Sequence, residues 1–144
     1  MQYYKSFEII IINNKKKITL NVKSYYNIYD IKNEIYYKEK IESNKYKLIF
    51  NEIKLEDYKT LEDYNINENS IIFLQYYKKI KIFVSTNKKF ITLNVEETDK
   101  IIDIKNIIEK NEGILPHEYI LFFNFKKLEE LKIIDDYNSK KEIL

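Results

Sequence analysis

Ile18-Thr19-Leu20-Asn21-Val22 recurs unchanged as Ile91-Thr92-Leu93-Asn94-Val95, a displacement of 73 positions (91 − 18). The same displacement carries Asp30-Ile31-Lys32-Asn33 onto Asp103-Ile104-Lys105-Asn106, Leu55-Glu56 onto Leu128-Glu129, and Asp63-Tyr64-Asn65 onto Asp136-Tyr137-Asn138. A spacing that holds without drift over a domain length marks a tandem duplication. The 144 residues therefore divide into two small domains, each with a modest core, expected at 1–77 and 78–144.

Outward from the repeated pentapeptide, the first copy reads as a hairpin. Phe7, Ile9 and Ile11 alternate, Asn13-Asn14-Lys15-Lys16 form a polar turn, and Ile18, Leu20 and Val22 alternate again. Ile28, Ile31 and Ile35 then change to helical spacing behind Asn27, whose side chain can cap an orphan backbone N–H. Leu48 and Phe50 flank Ile49 in a third strand, and Ile72 and Leu74 close the unit. The order ββαβ(β)β predicts an α+β unit with a mixed sheet packed on one helix.

With these elements placed, Ile18 to Tyr77 resembles ubiquitin and aligns with it without a gap. Leu55-Glu56-Asp57 with Thr60-Leu61-Glu62-Asp63-Tyr64-Asn65-Ile66 is similar to that family's most distinctive segment. The resemblance implies a β-grasp fold in each copy. The segment has its own physical logic: Thr60 and Asp63 stand at capping-box spacing, and Tyr64 can offer its hydroxyl to nearby backbone.

Ile80 to Leu144 resembles the family as well, with differences. Gly113 ends the second helix, and Pro116 follows as a stop. The first copy has Lys40 at that position, where keeping the left-handed conformation should cost roughly 1 kcal/mol, so a slightly frayed helix end is expected. Ile133 replaces the capping threonine, which predicts loss of the second box. Ile143-Leu144 fall where the last strand begins, so the second unit is expected to lack most of that strand. The expected reasons are a natural chain that extends further, imperfect pairing of the last residues, or a strand supplied by another chain.

Composition removes several function classes. The 25 basic and 23 acidic residues leave a net charge of +2, too little to draw in nucleic acid or anionic lipid, and Lys15-Lys16-Lys17 reads as a solvated turn. The tyrosines, Tyr36 and Tyr37 included, are too scattered to form a stacking platform. The chain has no cysteine, so disulfides, a thiolate nucleophile and a zinc knuckle are excluded. A serine triad would have to use His117, the one histidine, which reads as a surface-loop residue. Glu56, Asp57, Glu62 and Asp63 do not have the spacing of a metal ligand set, and a single glycine cannot build a phosphate loop. No catalytic residue, metal or cofactor is therefore expected. No apolar run approaches the ~18 residues of a membrane span, and Met1-Gln2-Tyr3-Tyr4-Lys5 lacks a secretory core, so the expected location is cytoplasmic or nuclear.

The family resemblance implies one of two roles: a modifier joined to lysines through a terminal glycine pair, or a fixed domain that binds partners. Leu74-Gln75-Tyr76-Tyr77-Lys78-Lys79-Ile80 contains no glycine pair, and neither does Lys141-Glu142-Ile143-Leu144. The reading is a non-enzymatic module recognised by ubiquitin-system proteins: the proteasome, ligases, deubiquitinases or ubiquitin receptors. Strand alternation turns Ile49 outward, at the position matching the family's central recognition isoleucine, with Ile12 and Phe73 beside it. Gln75 stands where the family has an apolar residue, and Phe122 repeats the Ile49 position in the second copy. Two alternatives follow. The short Gln75 to Lys79 connection allows the units to bury this patch against each other, or the protein is a two-unit modifier whose natural C-terminus extends beyond Leu144.

Overall fold

A computed structural model describes residues 5–85, 90–123 and 125–137. The chain divides at Tyr76 and Tyr77 into two units. The first contains β1 (Ser6–Asn13), β2 (Lys16–Lys23), α1 (Ile28–Glu39), β3 (Tyr46–Phe50), β4 (Ile53–Lys54) and β5 (Ile71–Tyr76). Its five-stranded sheet has the order β2-β1-β5-β3-β4, with β1 and β5 parallel and the other neighbours antiparallel. Ile9, Ile11, Ile18, Leu20, Val22, Leu48, Ile72 and Leu74 join Ile28, Ile31 and Ile35 of α1 in one core. Each such residue, fully buried, contributes about 1.5–3 kcal/mol.

Local chemistry sets the element ends. Asn13 pairs with Lys16 across a tight hairpin whose Asn14 sits at φ 57°, a left-handed conformation that asparagine tolerates. At the start of α1, the Asp30 N–H donates to Asn27 Oδ1 at 2.8 Å and the Asn27 N–H donates to Asp30 Oδ2 at 2.9 Å, a complete capping box. The end of α1 corrects the expectation of fraying. Lys40 itself takes the left-handed conformation, at φ 61° and ψ 31°, and its N–H donates to Tyr36 O at 2.8 Å. A closing backbone hydrogen bond and a lysine Nζ 5.7 Å from the Tyr36 ring offset the strain that glycine would avoid.

The segment from Leu55 to Ile66 is held by reciprocal bonds. The Thr60 N–H donates to Asp63 Oδ2 at 2.9 Å, the Asp63 N–H donates to Thr60 Oγ1 at 3.1 Å, and the Glu56 N–H donates to the Tyr64 hydroxyl at 2.8 Å.

The second unit repeats the plan with β6 (Lys79–Ser85), β7 (Phe90–Glu96), α2 (Ile101–Glu112), β8 (Phe122–Phe123) and β9 (Lys126–Lys127). Gly113 ends α2 at φ 72°, and its N–H donates to Glu109 O at 2.8 Å. The capping box at Ile133 is halved rather than lost, because the Ile133 N–H still donates to Asp136 Oδ2 at 3.0 Å and needs no hydroxyl to do so. Tyr137 accepts from the Glu129 N–H at 2.7 Å, as Tyr64 does from Glu56. Among the described residues, β6–β7 and β8–β9 are separate two-stranded sheets, both packed on α2. The expected loss of the last strand concerns residues 138–144, outside the described residues.

Each helix also buries a lysine. Lys32 Nζ lies 2.7 Å from Asp57 Oδ1 and 5.9 Å from the Tyr46 ring centroid. Lys105 Nζ lies 3.6 Å from Glu130 Oε1 and 5.3 Å from the Tyr119 ring centroid. In both, the aliphatic stem fills the core while the amine reaches an acid at the rim. Tyr46 is fully buried, and its hydroxyl has no protein partner among the described residues. Burial first, then the charge of Asp57, pushes that hydroxyl well above the usual tyrosine range.

Candidate functional site

Strand register assembles the outer face of the first sheet. β5 runs between β1 and β3, so Phe73 stands opposite Ile12 on one side and Ile49 on the other. All three point away from α1, because Ile11, Ile72, Leu74 and Leu48 occupy the alternate, inward positions. Phe73, in the middle, is 53 % exposed, whereas Ile12 and Ile49 are half-buried. Each of these isoleucines has a cross-strand neighbour on both sides, Lys17 and Phe73 for Ile12, Phe73 and Lys54 for Ile49.

Gln75 lies on the same face one row further, opposite Lys47, where β1 no longer runs alongside. Phe122 is brought into no such row. It pairs with Lys127 in β8–β9 and is 65 % exposed, with no strand on its other side among the described residues.

The face extends further than the sequence analysis places it. Ile10 and Ile71 pair one row below, also outward-facing, with Ile10 half-buried and Ile71 exposed. The same alternation that turns Ile12 outward turns Ile10 outward, so the signal was there between Ile9 and Ile11. The result is an apolar strip, Ile10, Ile12, Ile71, Phe73 and Ile49, bordered by Lys17, Lys47 and Lys54 across the register. Single exposed hydrophobic residues are ordinary on a soluble surface, but a contiguous strip on neighbouring strands is the form an interaction site takes.

Beside this face, exposed ionisable groups serve the loops. Lys59 and then Tyr58 hold the Glu56 carboxyl below its usual range, and Lys132 does the same for Glu129 in the second unit. The Thr60 backbone N–H, and then its side chain, lower Asp63. In the second unit His117 is exposed, in the single helical turn Pro116–Glu118, beside a cleft of about 360 Å³ that Lys105, Tyr119, Lys127 and Glu130 also line. Lys105 is committed there to Glu130, Pro116 O and the Tyr119 ring. Among the described residues no cluster of histidine, cysteine or acidic side chains could hold a metal ion. No described helix is long and apolar enough to cross a membrane.

A helix laid across a mixed sheet with two parallel central strands, in a repeated unit, defines a tandem β-grasp protein. Comparison with protein families matches the ubiquitin family over residues 9–76 and again over residues 82–142. The chain belongs to the ubiquitin family as a tandem ubiquitin-like repeat. Domains of this family generally bind proteins of the ubiquitin system and are generally not enzymes.

Proposed function

We propose that this protein is a non-enzymatic interaction module whose first unit is read by ubiquitin-system proteins through the outer row Ile12, Phe73 and Ile49. The observation that carries this reading is the register itself, which lines up an isoleucine, a phenylalanine and an isoleucine on neighbouring strands of an exposed sheet face. A partner should present an apolar ridge or helix to the strip and acidic groups to the lysines around it. Gln75, polar where the family is apolar, shifts the choice of partner away from those that read ubiquitin most closely. Phe122 would serve a separate contact in the second unit. Near-balanced charge and the family's usual partners support a cytoplasmic or nuclear setting.

The test is a solution titration of isolated ubiquitin-receptor domains against the wild type and Ile49→Asp. A charge at the centre of a packed interface costs on the order of 2–4 kcal/mol, so affinity should fall at least thirtyfold. Unchanged binding would reject the reading. The modifier alternative predicts heavier covalent adducts of the protein in cells, visible by denaturing electrophoresis.

A further inference from the structure

Lys32 and Lys105 occupy the same repeat position, and the side chains of both are nine-tenths buried, at 10 % and 8 % exposure. Their amines are held differently. Lys32 Nζ lies 2.7 Å from Asp57 Oδ1, within the range of a charge-assisted hydrogen bond. Lys105 Nζ lies 3.6 Å from Glu130 Oε1 and 3.4 Å from Pro116 O, beyond that range for both. A cation taken out of water and left with long contacts recovers little of its lost solvation. This loosely held amine lines the cleft of about 360 Å³ in the second unit, on the side of β8 where β9 pairs. Every lining residue is described, and the Leu128 N–H, donating to Leu121 O at 2.8 Å, ties the chain after β9 to the chain before β8. Between the repeats Ser43, Asn44 and Lys47 become Pro116, His117 and Ile120, which makes this cleft more apolar than its counterpart. Of the two acids that line it, Glu129 is held by Lys132 at 2.7 Å and Glu130 is 53 % exposed, while Lys127 forms no ion pair among the described residues.

We propose that this cleft binds a segment of a partner protein in which an acidic residue stands next to an aliphatic one. The partner's carboxylate takes the place of Glu130 at the Lys105 amine, and Lys127 and His117 beside it complete the charge complementarity. The aliphatic side chain lies against Pro116, Ile120 and Leu128. The volume is at the small end for a ligand site and suits two side chains rather than a cofactor. Glu130, once displaced, turns to the solvent that already reaches half of its side chain. The site shares no residue with the Ile49 face and stands or falls independently of it.

The probe is the acetylated and amidated peptide Ser-Gly-Glu-Leu-Gly-Ser, titrated into the full chain while amide and lysine side-chain chemical shifts are followed. Saturable one-to-one binding is expected, with shifts at residues 116–120 and 127–130 and at the Lys105 amine, and none on β1, β3 or β5. Replacing the peptide's glutamate by glutamine or its leucine by serine should weaken binding about fivefold or more. In the protein, Lys127→Glu should weaken it to a similar degree, and Glu130→Gln, which removes the competing carboxylate, should strengthen it about threefold. Both changes are at exposed positions, and an otherwise unchanged spectrum verifies the fold. Absence of saturable binding, or binding that either protein change leaves unaltered, would overturn the proposal. N-acetyl-leucine carries the same leucyl group and a carboxylate without a chain, and binding as tight as the peptide's would assign the cleft to small carboxylates and overturn it as well.

Discussion

The two helix ends provide a matched experiment within one chain, because Lys40 and Gly113 occupy the same repeat position and both are left-handed, at φ 61° and φ 72°. A Cβ built on Gly113 meets nothing within 4 Å, so Gly113→Ala introduces backbone strain without a clash. Its cost is then the left-handed penalty alone, about 1 kcal/mol. The reverse change, Lys40→Gly, removes that penalty but also loses the Lys40 cation above the Tyr36 ring, worth about 0.5 kcal/mol at an exposed site, for a net gain of about 0.5 kcal/mol. Native-state hydrogen exchange is the suitable assay, since it reports each unit separately where a thermal melt would merge them. Gly113→Ala should lower protection of the slowest α2 and β7 amides roughly fivefold and leave α1 and β2 unchanged. Lys40→Gly should raise protection in the first unit about twofold. An unchanged second unit in Gly113→Ala, or a loss of protection in Lys40→Gly, would refute the idea that backbone conformation governs these termini.

Other outcomes follow from the same packing. Tyr46→Phe removes a buried hydroxyl without a protein partner among the described residues and should stabilise the first unit by about 1 kcal/mol, read from the hydrogen exchange of its slowest amides. Leu48→Ala should cost about 3 kcal/mol and Leu121→Ala about 2 kcal/mol by the same method, since the site around Leu121 is less enclosed. Asp63 is held below the usual carboxylate range by Thr60, so its contribution is present above the unfolded pKa of about 3.9 and is lost as pH falls through the lower folded value. The protection that the wild type has over Asp63→Asn at the amides of residues 60–66 should therefore be constant near neutrality and disappear in acid.

Much of this architecture is legible in the residues alone because the repeat supplies two readings of each element. The helix spacing of Ile28, Ile31 and Ile35, the Asn27 cap and the Thr60–Asp63 bonds all depend on contacts within a few residues, which local sequence encodes. The row Ile12, Phe73 and Ile49 was accessible too, once alternation was combined with the family's strand order. What escaped depends on tertiary surroundings. A lysine at a helix end suggests fraying, yet the closing bond to Tyr36 holds Lys40 left-handed. Lys32 and Lys105 have no role assigned from sequence, yet both are buried beside Tyr46 and Tyr119, with their amines near acids distant in sequence.

The most direct test of the central claim is a chemical-shift map of the full chain titrated with a ubiquitin-receptor domain. The account predicts perturbations concentrated at Ile12, Ile49, Phe73 and their neighbours on β1, β3 and β5, abolished by Phe73→Asp with the rest of the spectrum intact. Perturbations centred on the exposed side of α1, or none at saturating receptor, would contradict it.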